Sequence, residues 1–215
     1  MVDIFFLDFE TTGLNPYHDD PIEIAIKKMN TKNYYQTLIK PRINGIHYRY
    51  ISPKIKSITN ITDEMIESEG VDPSIATTNI LKYIRENSKG DNIYIVSHNG
   101  TCFDFLILKK LFKEYGKNKR ITRGNSLDNN FINRLKFIDT LLLSRMSIKG
   151  ETYSQPSLCK RYGIINSMEH RALGDIYALE ELYDKLTLNL SYNTGNKTNI
   201  YKNNPYEVYK QINII

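Results

Sequence analysis

The chain has 215 residues, of which 40% are hydrophobic and 25% are charged. This length and balance predict one globular α/β domain with a substantial core. No apolar stretch approaches the roughly 18 residues of a membrane span, and the N-terminus lacks the basic region and cleavage site of a secretory signal. The two cysteines, Cys102 and Cys159, have no metal-ligand spacing around them, which argues against a disulfide scaffold and a zinc site. We therefore expect an intracellular protein, in the cytoplasm or nucleus, that does not bind membranes.

Charge is unevenly distributed along the chain, although the net charge is only +5. Residues 1–30 hold six acidic side chains and two lysines, whereas residues 109–161 hold thirteen Lys and Arg against four acidic side chains. An acidic centre beside a basic stretch suits a polyanion that is held by its backbone. The alternative is an ordinary lysine-rich, solvated surface, so the charge distribution alone does not identify a partner.

The hydrophobic pattern predicts three strands near the N-terminus. Residues 2–9 are almost all apolar, which is typical of a central strand that helices cover on both faces. Short turns connect this stretch to the strand candidates 21–29 and 34–40, as in an antiparallel meander.

Helices and further strands follow in the rest of the chain. Asp72 is a good N-cap for a helix that has Pro73 at its first position. The predicted helices are 62–69, 73–86, 103–115, 154–162 and 171–188, with a strand at 92–97, a loop at 116–134 and a strand followed by a helix within 135–146. This order predicts a mixed five-stranded sheet flanked by helices, in a domain of residues 1–190. The polar composition of residues 191–215 predicts a flexible C-terminal tail.

Three polar blocks stand out against this framework. Residues 8–14 (Asp-Phe-Glu-Thr-Thr-Gly-Leu) end the first strand, residues 99–104 (Asn-Gly-Thr-Cys-Phe-Asp) follow the strand 92–97, and residues 170–175 (His-Arg-Ala-Leu-Gly-Asp) open the last predicted helix. Ligand sites in such sheets lie at the carboxyl ends of strands. Carboxylate oxygens suit Mg²⁺ and Mn²⁺, and a histidine titrates near neutral pH. Together the blocks indicate a metal-dependent phosphodiester hydrolase.

Asp8 and Glu10 are two residues apart on a strand, so both side chains lie on one face, roughly 7 Å apart. Burying two unpaired carboxylates among apolar neighbours is unfavourable, and a divalent cation removes that cost. The alternative is a solvated strand end with ordinary acids, because the pattern Asp-x-Glu is common.

The other two blocks also have simpler interpretations. Asp104 falls in the first turn of a predicted helix, where the helix dipole alone favours a carboxylate. His170 and Asp175 would point about 140° apart on one ideal helix. They converge only if His170 lies in the loop before the helix and folds back over Asp175. His98, just before the second block, is not assigned a catalytic role.

In order, spacing and flanking elements, the three blocks resemble the motifs of the DEDDh (DnaQ-like) 3′–5′ exonuclease family, within the RNase H-like superfamily. The resemblance covers about residues 2–187 and includes the stretches 58–65, 137–140 and 157–164. It implies an RNase H-like fold. The first block is closer to the proofreading subunits of the DNA polymerase III epsilon type than to oligoribonucleases, which favours DNA over RNA.

The resemblance also implies roles for individual residues. It assigns two metal ions, Mg²⁺ or Mn²⁺, to the carboxylates of Asp8, Glu10, Asp104 and Asp175. It makes His170 the general base that takes a proton from the attacking water. It further implies contacts with the terminal nucleotide of a single-stranded 3′ end, from the main chain of Thr11 and the side chains of Leu14, Asn99 and Phe103. The implied reaction releases nucleoside 5′-monophosphates, in proofreading or DNA repair.

Two other functions remain open at this stage, namely a 3′–5′ exoribonuclease that trims RNA and a non-catalytic nucleic-acid-binding module. The five intact polar residues of the three blocks argue against the second. Residues 211–215 (Gln-Ile-Asn-Ile-Ile) faintly resemble the peptides with which bacterial replication proteins hold the sliding clamp. Replication or repair proteins are therefore hypothetical partners of the tail, although a frayed amphipathic end explains the pattern equally well.

Overall fold

The computed structural model describes residues 2–43, 47–48, 50–116, 131, 134–150 and 152–212. The strands of its main sheet are β1 (Val2–Thr11), β2 (Pro21–Lys28), β3 (Tyr34–Leu38), β6 (Asn92–Ser97) and β7 (Leu135–Asp139). They lie in the order β3-β2-β1-β6-β7. β1 is antiparallel to β2 and parallel to β6. The predicted mixed five-stranded sheet is therefore confirmed.

A small antiparallel ribbon, which the sequence did not predict, joins β4 (Arg42–Ile43) to β5 (His47–Tyr48). The helices are α1 (Pro53–Thr59), α2 (Asp63–Glu69), α3 (Pro73–Asn87), α4 (Asp104–Tyr115), α5 (Thr140–Ser147), α6 (Gln155–Tyr162), α7 (Ala172–Asn193) and α8 (Pro205–Ile212). The predicted helix start at Asp72 is present, since its carboxylate accepts a hydrogen bond from the Ser74 N–H at 2.8 Å. Helix α1 escaped prediction because Thr59 is its one buried residue, so the segment has no apolar periodicity.

The core lies on both faces of the sheet. On one face, Phe6 packs in a cluster with buried residues of α5, α6 and α7. On the other, Phe5 and Leu7 pack with α3 and α4. Successive strand residues point to opposite faces, which explains why β1 is apolar throughout. The central strand thus reaches its polar end, at Asp8 and Glu10, between two covered layers.

The prediction of a flexible tail is wrong for the described part of residues 191–212. Helix α7 continues to Asn193, and α8 contacts both β7 and α5. Tyr201 and Val208 are buried in the same core cluster as Phe6. The Asn- and Lys-rich composition concealed these apolar anchors, and their burial covers the edge strand β7, which would otherwise expose unpaired backbone groups.

Residues 213–215, the end of the peptide compared with clamp-binding sequences, lie outside the described residues, as do 117–130 and 132–133 of the predicted loop. In the described ranges, no helix combines the length and apolar character needed to span a membrane.

Replacing Val208 by alanine should lower the free energy of unfolding by about 1–2 kcal/mol, because it removes fully buried methyl groups from the contact of α8 with the core. Urea denaturation followed by circular dichroism measures the change. Asn203→Ala, at an exposed position in the turn before α8, is the matched control, with an expected change within about 0.5 kcal/mol. Equal stabilities of the two variants would show that α8 does not pack on the domain.

Candidate metal-binding active site

β1 supplies the first two carboxylates of the site. Asp8 and Glu10 lie on the same face near the carboxyl end of the strand, each partly exposed, while the intervening Phe9 points into the core. The pairing with β2 becomes irregular between Glu10 and Thr11. The ladder therefore keeps both carboxylates in register up to the last residue that the site needs.

Helix α4 brings the third carboxylate to β1. Asp104 is the first residue of this helix and is 3% exposed. Its Oδ1 accepts a hydrogen bond from the main-chain N–H of Phe9 at 3.1 Å, across 95 residues of sequence. Because Phe9 lies between Asp8 and Glu10, this bond places Asp104 directly beside them.

The fourth carboxylate and the histidine come from the start of α7. Asp175 accepts hydrogen bonds from the Asn166 side chain at 2.7 Å and from the His170 N–H at 3.1 Å. His170 precedes the helix with a φ of 61°, so the chain folds back over Asp175 as the spacing required. A Cβ on Gly174 would lie 2.4 Å from the carbonyl oxygen of Met168, so only glycine allows this loop to lie against the helix.

These side chains line one open cleft of about 790 Å³. Ligand atoms of Glu10, His170 and Asp175 lie within 4.8 Å of one another, and the carboxylates of Asp8 and Asp104 line the same cleft. A donor set of carboxylate oxygens with one imidazole fits a hard divalent cation.

Burial and mutual repulsion hold protons on these acids. Burial is the largest cause at every one of them, and neighbouring carboxylates add to it at Asp8 and Glu10. The pKa of Asp8 is raised well above its ordinary value. The pKa is raised to about 8 at Glu10, about 7 at Asp104 and about 6 at Asp175. Positive charge placed among them would reverse these shifts, as cations do in carboxylate sites.

A buried ion pair supports the site from behind, and the sequence did not predict it. Glu23, opposite Glu10 in the sheet register, is 1% exposed. Its carboxylate accepts hydrogen bonds from Arg171 Nη2 at 2.7 Å and Nε at 3.1 Å, and from the Ala172 N–H at 3.0 Å. The pair fixes the residue after His170 to the sheet, and the guanidinium lowers the pKa of Glu10, against the larger effect of burial.

A second buried carboxylate outside the predicted set orders the loop after β6. Asp139 accepts hydrogen bonds from the N–H groups of Asn99, Thr101 and Leu141, each at 2.9 Å. These bonds hold Asn99 at a φ of 58°. Asp139 lies in one of the stretches that carried the family resemblance, but nothing in its local sequence revealed this role.

The structure brings three of the four predicted substrate-contact side chains to the cleft. Leu14 (86% exposed), Asn99 and Phe103 line it. The side chain of Thr11 does not, since it is buried and its hydroxyl donates to the main-chain carbonyl two residues on. His98 also lines the cleft, and burial lowers the pKa of its imidazole.

Comparison with known proteins places this cleft in a wider group. A family model described as exonuclease (RNase_T) matches residues 5–183. A DNA polymerase III of the PolC type from Thermotoga petrophila is 31% identical over 180 residues, which is 82% of this chain and 11% of the relative. The epsilon subunit of DNA polymerase III from Rickettsia typhi is 29% identical over 188 residues, 84% of this chain and 72% of the relative. The chain thus spans about a tenth of the length of its PolC-type relatives.

Among solved structures, E. coli exonuclease I in complex with a dT13 oligonucleotide is similar, with a TM-score of 0.68 and 18% identity over 91% of this chain and 43% of that one. The likeness confirms the predicted RNase H-like fold. The family model covers the stretch in which all four carboxylates and the histidine converge, and the predicted resemblance to DnaQ-like exonucleases is borne out: the chain belongs to the exonuclease family.

Proposed function

We propose that this chain is a metal-dependent 3′–5′ exonuclease that acts on single-stranded or frayed DNA ends and releases nucleoside 5′-monophosphates. The convergence of Asp8, Glu10, Asp104, Asp175 and His170 in one open cleft is the observation that carries the proposal. A cleft open to solvent suits a polymer end better than a small enclosed ligand, and family membership supplies the reaction class.

The four carboxylates would hold two Mg²⁺ or Mn²⁺ ions. Such a pair, when bound, stabilises both the attacking and the leaving oxygen of an in-line displacement at phosphorus. The chain's own contribution is to fix the ligands before substrate arrives. The Phe9 N–H orients the Asp104 carboxylate, and the Asn166 side chain and the His170 N–H orient that of Asp175.

His170 would take the proton from the attacking water. Its side chain is 49% exposed, so a water molecule can reach the imidazole, and its main chain is anchored to Asp175. Glu169 Oε1 lies 3.7 Å from His170 Nε2 and would stabilise the imidazolium that forms when the proton is transferred.

The terminal nucleotide would lie between Leu14 and Phe103, which supply apolar walls, with Asn99 beside them. The main chain of Thr11 remains a proposed contact of this nucleotide. Backbone and stacking contacts predominate in such an arrangement, so base preference should be weak.

The polymerase relatives favour DNA as the substrate over RNA. RNA trimming is the alternative activity, and a non-catalytic binding module is disfavoured because all five polar groups of the cleft are present. A role beside a replicative polymerase, contacts with replication proteins through the C-terminal residues, and an intracellular location belong to the proposal as predictions from the sequence.

The first test is incubation of the protein with 5′-labelled single-stranded DNA and RNA of one sequence, with Mg²⁺ or Mn²⁺. We expect a ladder that shortens from the 3′ end, faster on DNA. Asp8→Asn should slow it by at least about a hundredfold, because partners of metal ligands alone are worth 10- to 100-fold. Asp91→Asn, an exposed position outside the cleft, is the matched control and should leave the rate unchanged.

Faster shortening of the RNA strand would replace the DNA assignment by RNA trimming. Binding of either strand without any shortening, under both metals, would leave only the binding-module function.

The metal-free protein should lose thermal stability as pH rises from about 4.5 to about 8. Glu10 has an ordinary pKa of 4.5 that is raised to about 8 in the fold, so over this range the unfolded chain releases a proton that the native state retains. Mn²⁺ should raise the melting temperature, and more at pH 8 than at pH 5, because ligands bind metal only when deprotonated. Melting curves in EDTA and in Mn²⁺ measure both effects.

Glu10→Gln should flatten this pH dependence and reduce the stabilisation by Mn²⁺. If the wild-type protein melts at the same temperature with and without metal at pH 8, the carboxylates do not form a metal site.

His170→Asn should lower kcat by about 10²- to 10⁴-fold, the usual contribution of a general base, while Mn²⁺ still raises the melting temperature. The comparison of kcat with metal-induced stabilisation separates a base from a metal ligand. Loss of the stabilisation in this variant would assign His170 to the metal instead.

A further inference from the structure

The cleft continues into two further depressions on the protein surface. Leu14 lines the cleft and also the middle depression, which Tyr17 bounds on its far side. Tyr17 in turn lines an outer depression of about 470 Å³. Each neighbouring pair shares a wall residue, so the three depressions form one path that leads away from the carboxylates.

The loop between β1 and β2 holds two large side chains outward along this path. Leu14 is 86% exposed and Tyr17 is 71% exposed. The loop is ordered by its own hydrogen bonds, since the Asn15 N–H donates to Asp19 Oδ2 at 2.9 Å and the Tyr17 N–H donates to Asn15 Oδ1 at 3.0 Å. An aromatic ring that is already positioned loses little conformational entropy when a ligand stacks on it.

The outer depression is suited to an anion. Lys40, Arg42 and Lys110 line it, against the carboxylates of Asp20 and Glu114. The pair between Lys110 Nζ and Asp20 Oδ1 is 3.6 Å long and partly exposed, so it stabilises little. In the part of the chain that the structure describes, the partly buried Lys40 ammonium has no carboxylate partner. A phosphate group would complete its surroundings.

Helix α4 gives the length of the path. Asp104 begins the helix in the cleft, and Lys110 lies six residues further along it in the outer depression. At 1.5 Å per residue the separation along the helix is about 9 Å. Phosphates of stacked DNA recur about every 3.4 Å along one strand. The outer depression therefore lies roughly two to three nucleotides from the metal site.

We propose that Tyr17 and Lys40 form an upstream subsite for the strand being degraded. A base upstream of the terminal nucleotide stacks on the Tyr17 ring, and the following phosphates lie against Lys40 and Lys110. The inference rests on the proposed exonuclease function and defines which part of a single-stranded DNA the protein holds beyond its 3′ end.

The test is hydrolysis of oligothymidylates of different lengths by Tyr17→Ala and Lys40→Gln. On a strand of about ten nucleotides we expect KM to rise about five- to tenfold with kcat within twofold, since stacking on an aromatic ring contributes strongly to single-strand binding. On a dinucleotide, which ends before the subsite, both constants should match the wild type. Lys40→Gln should also reduce the salt dependence of binding, whose slope falls by about one for each lost phosphate contact.

Matched controls are Tyr192→Ala and Lys185→Gln, exposed positions on α7 that line none of the three depressions. Tyr17→Phe and Lys40→Arg should restore the KM, because they keep the ring and the charge. Equal losses on long and short substrates, no loss on either, or a loss confined to duplex DNA would overturn the subsite.

Binding of the ten-nucleotide strand in EDTA, followed by fluorescence anisotropy, keeps the two proposals separate. If the wild type cleaves nothing, the exonuclease proposal fails, while weaker binding by Tyr17→Ala and Lys40→Gln still supports the subsite. If the wild type cleaves and these variants bind and cleave as it does, only the subsite is overturned.

Discussion

Repulsion among four carboxylates in one partly buried cleft is the constraint on which the rest of the site depends. Left to themselves, Asp8 and Glu10 would keep their protons well above the pH at which carboxylic acids usually ionise. The fold assembles them nevertheless, because hydrophobic packing on both faces of β1 fixes the strand whatever its polar end costs. The stability of the framework is thus used to hold charges that would otherwise separate.

The groups behind the cleft make this crowding tolerable. Each carboxylate that comes from a helix is tied to a neighbouring segment by an N–H donor, as Asp104 is to Phe9. Behind Glu10, a fully buried glutamate would add to the repulsion, but the bidentate guanidinium of Arg171 offsets the charge of Glu23. The same ion pair anchors the turn that carries His170, so one interaction both balances charge and sets the position of the proposed base.

Local pattern predicted most of what local physics determines. The apolar run of β1 and the cap at Asp72 were readable because hydrophobic period and capping chemistry depend on neighbouring residues. The Glu23–Arg171 pair was not, since 148 residues separate its partners and neither has a local pattern that identifies the other. The helix near Val208 was missed for a related reason, because its stability comes from the core that it covers rather than from its polar sequence.

The site is complete only when nearly the whole domain is present. Its ligands come from the first strand, from α4 and from α7, so the contacts that assemble it span Asp8 to Asp175. Contacts so distant in sequence form late, and domains fold as units during synthesis. A nascent or prematurely terminated chain that ends before α7 carries the first three carboxylates without the last one and without His170. Finishing the polypeptide is thereby the step that arms it, and an incomplete chain poses no threat to the nucleic acid around it.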